Sequence, residues 1–156
     1  MNKERTVGLI FFGNITDEEI KSIPKDFHGD IIVIGNIRCK GKCVIPGSLW
    51  LNGDLFAQGL DVEGGFYTKV GTTIVISGGI NVSEDFILKE AGEIRSRCIN
   101  VGGDFEGEGT IISTSIDVYG RFAFKGKINS GGNKIRAGEL EIDAVINECG
   151  GIKSGW

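Results

Sequence analysis

A five-residue pattern, apolar-x-Gly-x-apolar, returns along the chain and restricts its fold more than any other feature. It reads Val33-Ile34-Gly35-Asn36-Ile37, Leu51-Asn52-Gly53-Asp54-Leu55, Val62-Glu63-Gly64-Gly65-Phe66 and Ile76-Ser77-Gly78-Gly79-Ile80. It reads again as Val101-Gly102-Gly103-Asp104-Phe105 and Val118-Tyr119-Gly120-Arg121-Phe122. Counting one mark per unit, the first apolar residues fall at 33, 51, 76, 101 and 118, with a looser return at Ile142, so the intervals are 18, 25, 25, 17 and 24 residues. A companion apolar residue follows eleven positions later at Val44, Val62, Ile87 and Ile112, and slips by one to Ile128. Self-similarity at periods of about 20 to 50 residues is the signature of a solenoid.

Two short strands at fixed separation and a third side of variable length predict an all-β, single-domain parallel β-helix of about five coils. Within a coil, alternation points Leu49, Leu51 and Leu55 inward and Asn52 and Asp54 outward. The glycines mark corners, and the longer units carry extra segments near Tyr67–Thr72 and Lys89–Arg97, expected as loops or longer strands on one edge. Leucine-rich repeats lack support because their leucine frame is absent. The 18/25/25/17/24 spacing also argues against an apolar residue at every sixth position, the hexapeptide type of coil. The winding is taken as right-handed.

Residues 1–29 read differently and are expected to form an N-terminal strand–helix cap. Val7 to Phe12 is a β-favouring run. Thr16 and Glu19 form a capping box, Asp17 and Glu18 occupy the first helical turn, Ile20 and Ile23 share a face, and Pro24 closes the segment. The coils are assigned to 30–146 and a C-terminal cover to 147–156, with Trp156 over the last coil.

The 156 residues include 26 glycines but only 2 prolines and no strict Gly-X-Y period, so a collagen repeat does not fit. A hydrophobic share of 40% with net charge −4 argues against disorder. No stretch is long enough to cross a membrane as a helix, and no charged-then-apolar leader opens the chain. A soluble cytoplasmic protein is the expectation. Of the four cysteines, Cys39 and Cys43 are the one close pair, and without a second pair at zinc-site spacing free thiols are expected rather than a metal site.

The phrases GDLFAQGLDVEGGF and INVGGDFEGEGTI resemble the coils of bactofilin-like, polymer-forming β-helix proteins of bacteria. The resemblance covers about residues 31–145 and lies in the style of the repeat. It implies a scaffold that associates with itself, stacking helix ends into filaments, and it carries no functional residue across.

Catalytic chemistry finds little support. The one histidine, His28, has no neighbouring nucleophile motif and reads as a turn or surface residue. Phosphate loops and the Gly-x-Ser-x-Gly nucleophile elbow are missing. No cofactor and no metal are expected, and calcium on repeated aspartates lacks its Gly-rich nonapeptide. Charge offers more. Asp104, Glu106 and Glu108 alternate with Phe105 and Gly107, Asp61 and Glu63 flank Val62, and Glu139, Glu141 and Asp143 flank Leu140 and Ile142. Arg38, Lys40 and Lys42, and Arg121, Lys125 and Lys127, give the opposite sign. These are the solvated faces of strands, or else an interaction surface built on Asp61, Glu63, Asp104, Glu106 and Glu108.

The leading expectation is therefore a non-enzymatic interaction or scaffold module, a homo-oligomer or the binder of a protein partner, with no direct nucleic acid and no membrane. A second is a small acidic inhibitor of phage or mobile-element type that blocks a basic, nucleic-acid-binding protein with a carboxylate strip. A third is a carbohydrate-active β-helix enzyme.

Overall fold

Fifteen elements follow one another in the computed structural model, which describes residues 8–130, 134–147 and 151–155. They are β1 (Leu9–Phe12), α1 (Asp17–Lys21), β2 (Asp30–Ile34), β3 (Ile37–Arg38), β4 (Lys42–Ile45), β5 (Ser48–Asn52), β6 (Leu55–Ala57), β7 (Gly59–Val62), β8 (Phe66–Thr68), β9 (Thr73–Ile76) and β10 (Gly79–Val82). Four strands complete the chain: β11 (Phe86–Val101), β12 (Phe105–Asn129), β13 (Lys134–Asn147) and β14 (Gly151–Ser154). The protein is 69% strand and 4% helix, wound as a parallel β-solenoid of about 8 turns.

Each coil has three sides. Strand alternation sends every second residue inward, where it stacks on its counterpart one coil away. On the first side the inward row runs Leu9, Ile31, Leu49, Phe66, Phe86 and Phe105, continuing through Phe122 to Leu140. On the second it runs Ile15, Ile37, Leu55, Ile74, Ile94 and Ile111, with Ile128 and Ile146 paired further on. On the third it runs Cys43, Leu60, Ile80, Ile99, Ile116, Ile135 and Ile152. The core is thus three apolar columns meeting along one axis, and parallel stacking at about 4.8 Å per coil makes a prism roughly 35 Å long.

The coil count corrects the expectation of about five. The recurring pattern is the last inward residue of one side, a corner glycine and the first inward residue of the next side, and all three corners use it. Val33 and Leu51 lie on the first side, Ile76 on the second, and Val101 and Val118 on the third. An interval of 17 or 18 is one full turn, whereas 25 is one turn plus one side. The mark eleven residues on likewise changes role: Val62 is buried, but Val44 and Ile112 face outward and are exposed. The extra segments expected near Tyr67–Thr72 and Lys89–Arg97 are expansions of the corner between the first and second sides: residues 69–72 form a turn, and the register shifts between Leu88 and Gly92, while Tyr67 and residues 93–97 are ordinary coil sides within β8 and β11. The interval argument against a hexapeptide type of coil falls with the coil count.

In the first coil α1 takes the place of the third-side strand, packs against β4 and buries Ile20, with Ile23 buried just beyond its end. The Glu19 carboxylate accepts both the Thr16 amide, at 2.7 Å, and the Thr16 hydroxyl, at 2.8 Å. Ahead of the helix, β1 pairs in register with β2 and extends the first side. Val7 lies outside the described residues, as do Cys149 and Trp156.

Asp17 ties the helix to the second coil, its carboxylate accepting the amides of Lys40 at 2.8 Å and Gly41 at 3.1 Å. Those bonds hold its pKa below the ordinary aspartate value, and bonds from Thr16 do the same for Glu19. A carboxylate depressed in the folded state stabilises the fold above its unfolded-state pKa and loses that contribution as pH falls through the folded value. The melting temperature is expected to decline as pH drops below about 4. Asp17→Asn should lower it at neutral pH and flatten that decline, as read by circular-dichroism melts at pH 7 and pH 3.

Candidate interaction surface

The first side carries an outward row between its inward residues. Along the first five coils this row is Ile10, Ile32, Trp50, Tyr67 and Ile87, and along the last three it is Glu106, Ala123 and Glu141. The row two residues further along each strand begins Phe12, Ile34 and Asn52. It continues with Lys69 and Lys89, then Glu108, Lys125 and Asp143. One flat face is therefore apolar at one end and charged at the other. Phe12 is 75% exposed, Ile10 54%, Trp50 44% and Ile34 40%. An exposed apolar patch of this continuity, unlike scattered single residues, marks a contact surface.

Local packing fixes the aromatic pair at its centre. Trp50 and Tyr67 stack across adjacent coils, with ring centroids 4.2 Å apart and planes at 23°. Stacked faces cover one another and turn edges to solvent, which suits a protein surface better than a sugar ring. A shallow depression of about 510 Å³ lies over Ile32, Ile34, Trp50, Tyr67 and Ile87. Another of about 590 Å³ lies over Glu106, Glu108, Arg121, Lys125, Glu141 and Asp143. There Arg121 donates to Glu141 at 2.9 Å, and the carboxylates beside Arg121, Glu141 first, raise its pKa above the ordinary arginine value.

The five acidic residues singled out from the sequence fall in four places. Asp61 lies on the third side, ion-paired with Lys42 at 2.7 Å and accepting the Asn81 amide at 3.0 Å. Asn100 continues that ladder onto Asn81 at 3.0 Å. Glu63 borders the groove between α1 and the third side, near Ile20, Lys42 and Val44. Asp104 sits at the corner leading into the first side and works as a staple: its amide donates to Asp85 at 2.8 Å, and its own carboxylate accepts the Arg121 amide at 2.9 Å. Glu106 and Glu108 face outward on the first side with Glu141 and Asp143. Asp104→Ala is expected to lower the melting temperature by about 3 °C through the lost inter-coil bond. Glu106→Ala should leave it within about 1 °C, since its side chain is exposed with no such staple.

Of the basic groups, Arg38 lies over the Phe56 ring at 4.4 Å, and Lys42 is taken up by Asp61. His28 has its Nδ1 3.3 Å from the Pro46 carbonyl oxygen. Cys39, Cys43 and Cys98 are unbridged. A hydrogen bond between the neighbouring thiols, and then burial, push Cys43 above the ordinary thiol range, and the same bond lowers Cys39. Among the described residues no group of three or more His, Cys, Asp or Glu is arranged to hold a metal ion. No helix among them is long and apolar enough to cross a membrane.

The apolar half of the face had a signal in the sequence. The runs Leu9-Ile10-Phe11-Phe12 and Ile31-Ile32-Val33-Ile34 are apolar at every position, whereas a strand with one solvated face alternates. Compared with protein-family models, curated proteins and solved structures, the chain gives no match.

Proposed function

We propose that the protein is a non-enzymatic interaction module that acts through its solenoid surface and associates with itself. The observation that carries this reading is the first side's apolar face, in which Ile10, Phe12, Ile34 and Trp50 stand exposed in adjacent coils. The relation to bactofilin-like scaffolds belongs to the same reading, as do a cytoplasmic setting, right-handed winding and a first coil that serves as the end cover. Right-handed crossovers are the usual hand for parallel strands. Catalysis is disfavoured because Arg121 engages Glu141 and Lys42 engages Asp61, while His28 stands at a different corner from the charged depression.

Sedimentation velocity over a hundredfold concentration range, at low and at high salt, tests the reading. Mass that rises with concentration and persists at high salt is expected, since apolar contact is not screened. A monomer at every concentration overturns self-association.

A second reading rests on the charged end of the same face, where Glu106, Glu108, Glu141 and Asp143 gather. There the protein would occupy the basic channel of a nucleic-acid-binding partner. The double variant Glu106→Lys with Glu108→Lys should then abolish capture of that partner while Trp50→Glu leaves it intact.

A further inference from the structure

We infer that the protein pairs with a second copy of itself through the first side of its first five coils, related by a two-fold axis and with the solenoid axes antiparallel. This rests on the interaction-module reading and names its partner.

The argument is one of register. The central outward row has five apolar members, and Trp50 is the middle one. A two-fold axis lying in the face along the Trp50 strand sets Trp50 on Trp50, Ile32 on Tyr67 and Ile10 on Ile87. In the next row Asn52 meets itself, Ile34 meets Lys69 and Phe12 meets Lys89, where aliphatic lysine stems cover apolar groups while the ammonium groups reach water. In the row on the other flank Ser48 meets itself, Asp30 meets Gly65 and Asp85 meets Gly8. No charge faces one of its own sign.

Larger overlaps fail on charge, and a smaller one covers less of the apolar face. Full antiparallel overlap of the eight coils sets Lys69 on Lys89 and Phe12 on Asp143. A parallel pair sets Glu106 on Glu106 and Glu141 on Glu141, and like charges directly opposed are unfavourable. The charged coils therefore act as a stop that selects the five-coil overlap, a repulsive element of the kind specific interfaces use. Such an isologous contact closes at two copies, whereas end-to-end stacking does not close.

The size of the face sets the strength. Five coils at about 4.8 Å and a side about 17 Å wide give a footprint of roughly 400 Å² per copy, about half that of a standard specific interface and the size of a weak, transient one. The dimer is expected to dissociate on dilution, with a dissociation constant on the order of 10 µM. The Trp50–Tyr67 stack holds the central rings in place before contact, which lowers the ordering cost.

Two measurements on the full chain test this together: sedimentation of wild type and Trp50→Glu, and crosslinking with a short bismaleimide. Crosslinking uses Asn52→Cys or Glu141→Cys in a background of Cys39→Ser, Cys98→Ser and Cys149→Ser. The expected result is a wild-type dimer, at least tenfold weaker association for Trp50→Glu, and at least tenfold more crosslinked dimer from Asn52→Cys than from Glu141→Cys. An unchanged melting curve for Trp50→Glu separates lost contact from lost fold. Wild type that assembles while Trp50→Glu assembles equally and Asn52→Cys stays uncrosslinked overturns this pairing and leaves self-association standing. Wild type that stays monomeric throughout overturns both.

Discussion

Phe105→Ala is expected to lower unfolding free energy by about 4 kcal/mol, the largest loss for any single side chain in the first-side column. Phe105 is fully buried, with its ring 4.6 Å from Phe86, 5.1 Å from Phe122 and edge-on to Phe124 at 6.3 Å. Truncation removes the buried ring and leaves a cavity between coils that cannot close, since each coil height is fixed by its strand pairing. It also breaks two ring stacks at once, each contributing about 0.5 to 1.5 kcal/mol beyond area burial. Phe66 stacks on Phe86 at 4.8 Å, while the residue beneath it in the column is Leu49, so Phe66→Ala should be milder by roughly 1 kcal/mol. In a solenoid, stability is close to a sum of coil and neighbour terms, so the ordering of the two variants is as informative as either value. Guanidinium unfolding followed by circular dichroism measures both. Losses below about 1 kcal/mol for Phe105→Ala would show that the column is not the core of the fold.

That column also shows how far the sequence could be read. The pattern apolar-x-Gly-x-apolar carried enough to establish a parallel solenoid, because a corner followed by an inward residue has few alternatives in a chain with so few prolines. It did not carry the number of coils. Val62-Glu63-Gly64-Gly65-Phe66 and Leu51-Asn52-Gly53-Asp54-Leu55 look alike in sequence yet mark different corners, the first leading from the third side to the first and the second from the first side to the second. A three-sided coil with one kind of corner is periodic in sides as well as turns, and intervals alone do not say which period is in view. Charge led attention to Asp104, whose exposed carboxylate also accepts the Arg121 amide across the coil corner. The exposed half of the same face lay in Ile10, Ile32 and Trp50, which a search for inward residues absorbs into the core. That omission has a physical source: alternation tells the two faces of a strand apart only when their chemistry differs, and on the first five coils it does not.

Gly109→Ala supplies the complementary result, a loss of about 4 kcal/mol or more from adding one methyl group. Two penalties combine at this position. Its φ is +144°, a region that residues with a side chain rarely adopt, and an added Cβ would lie 2.0 Å from the Gly92 carbonyl oxygen one coil away. That oxygen belongs to the backbone, so no rotamer change relieves the contact and the spacing between coils must open. Gly71 separates the two penalties, since its φ is +80° with nothing within 4 Å of an added Cβ. Gly71→Ala should therefore lose only about 1 kcal/mol, the conformational part alone. The difference between the variants, roughly 3 kcal/mol, measures how tightly one coil corner rests on the next. Equal losses for the two variants would mean that backbone conformation, and not contact between coils, explains the glycine corners. A loss at Gly109 well above that at Gly71 would tie the same glycines to the stacking that places the first side's outward rows in line.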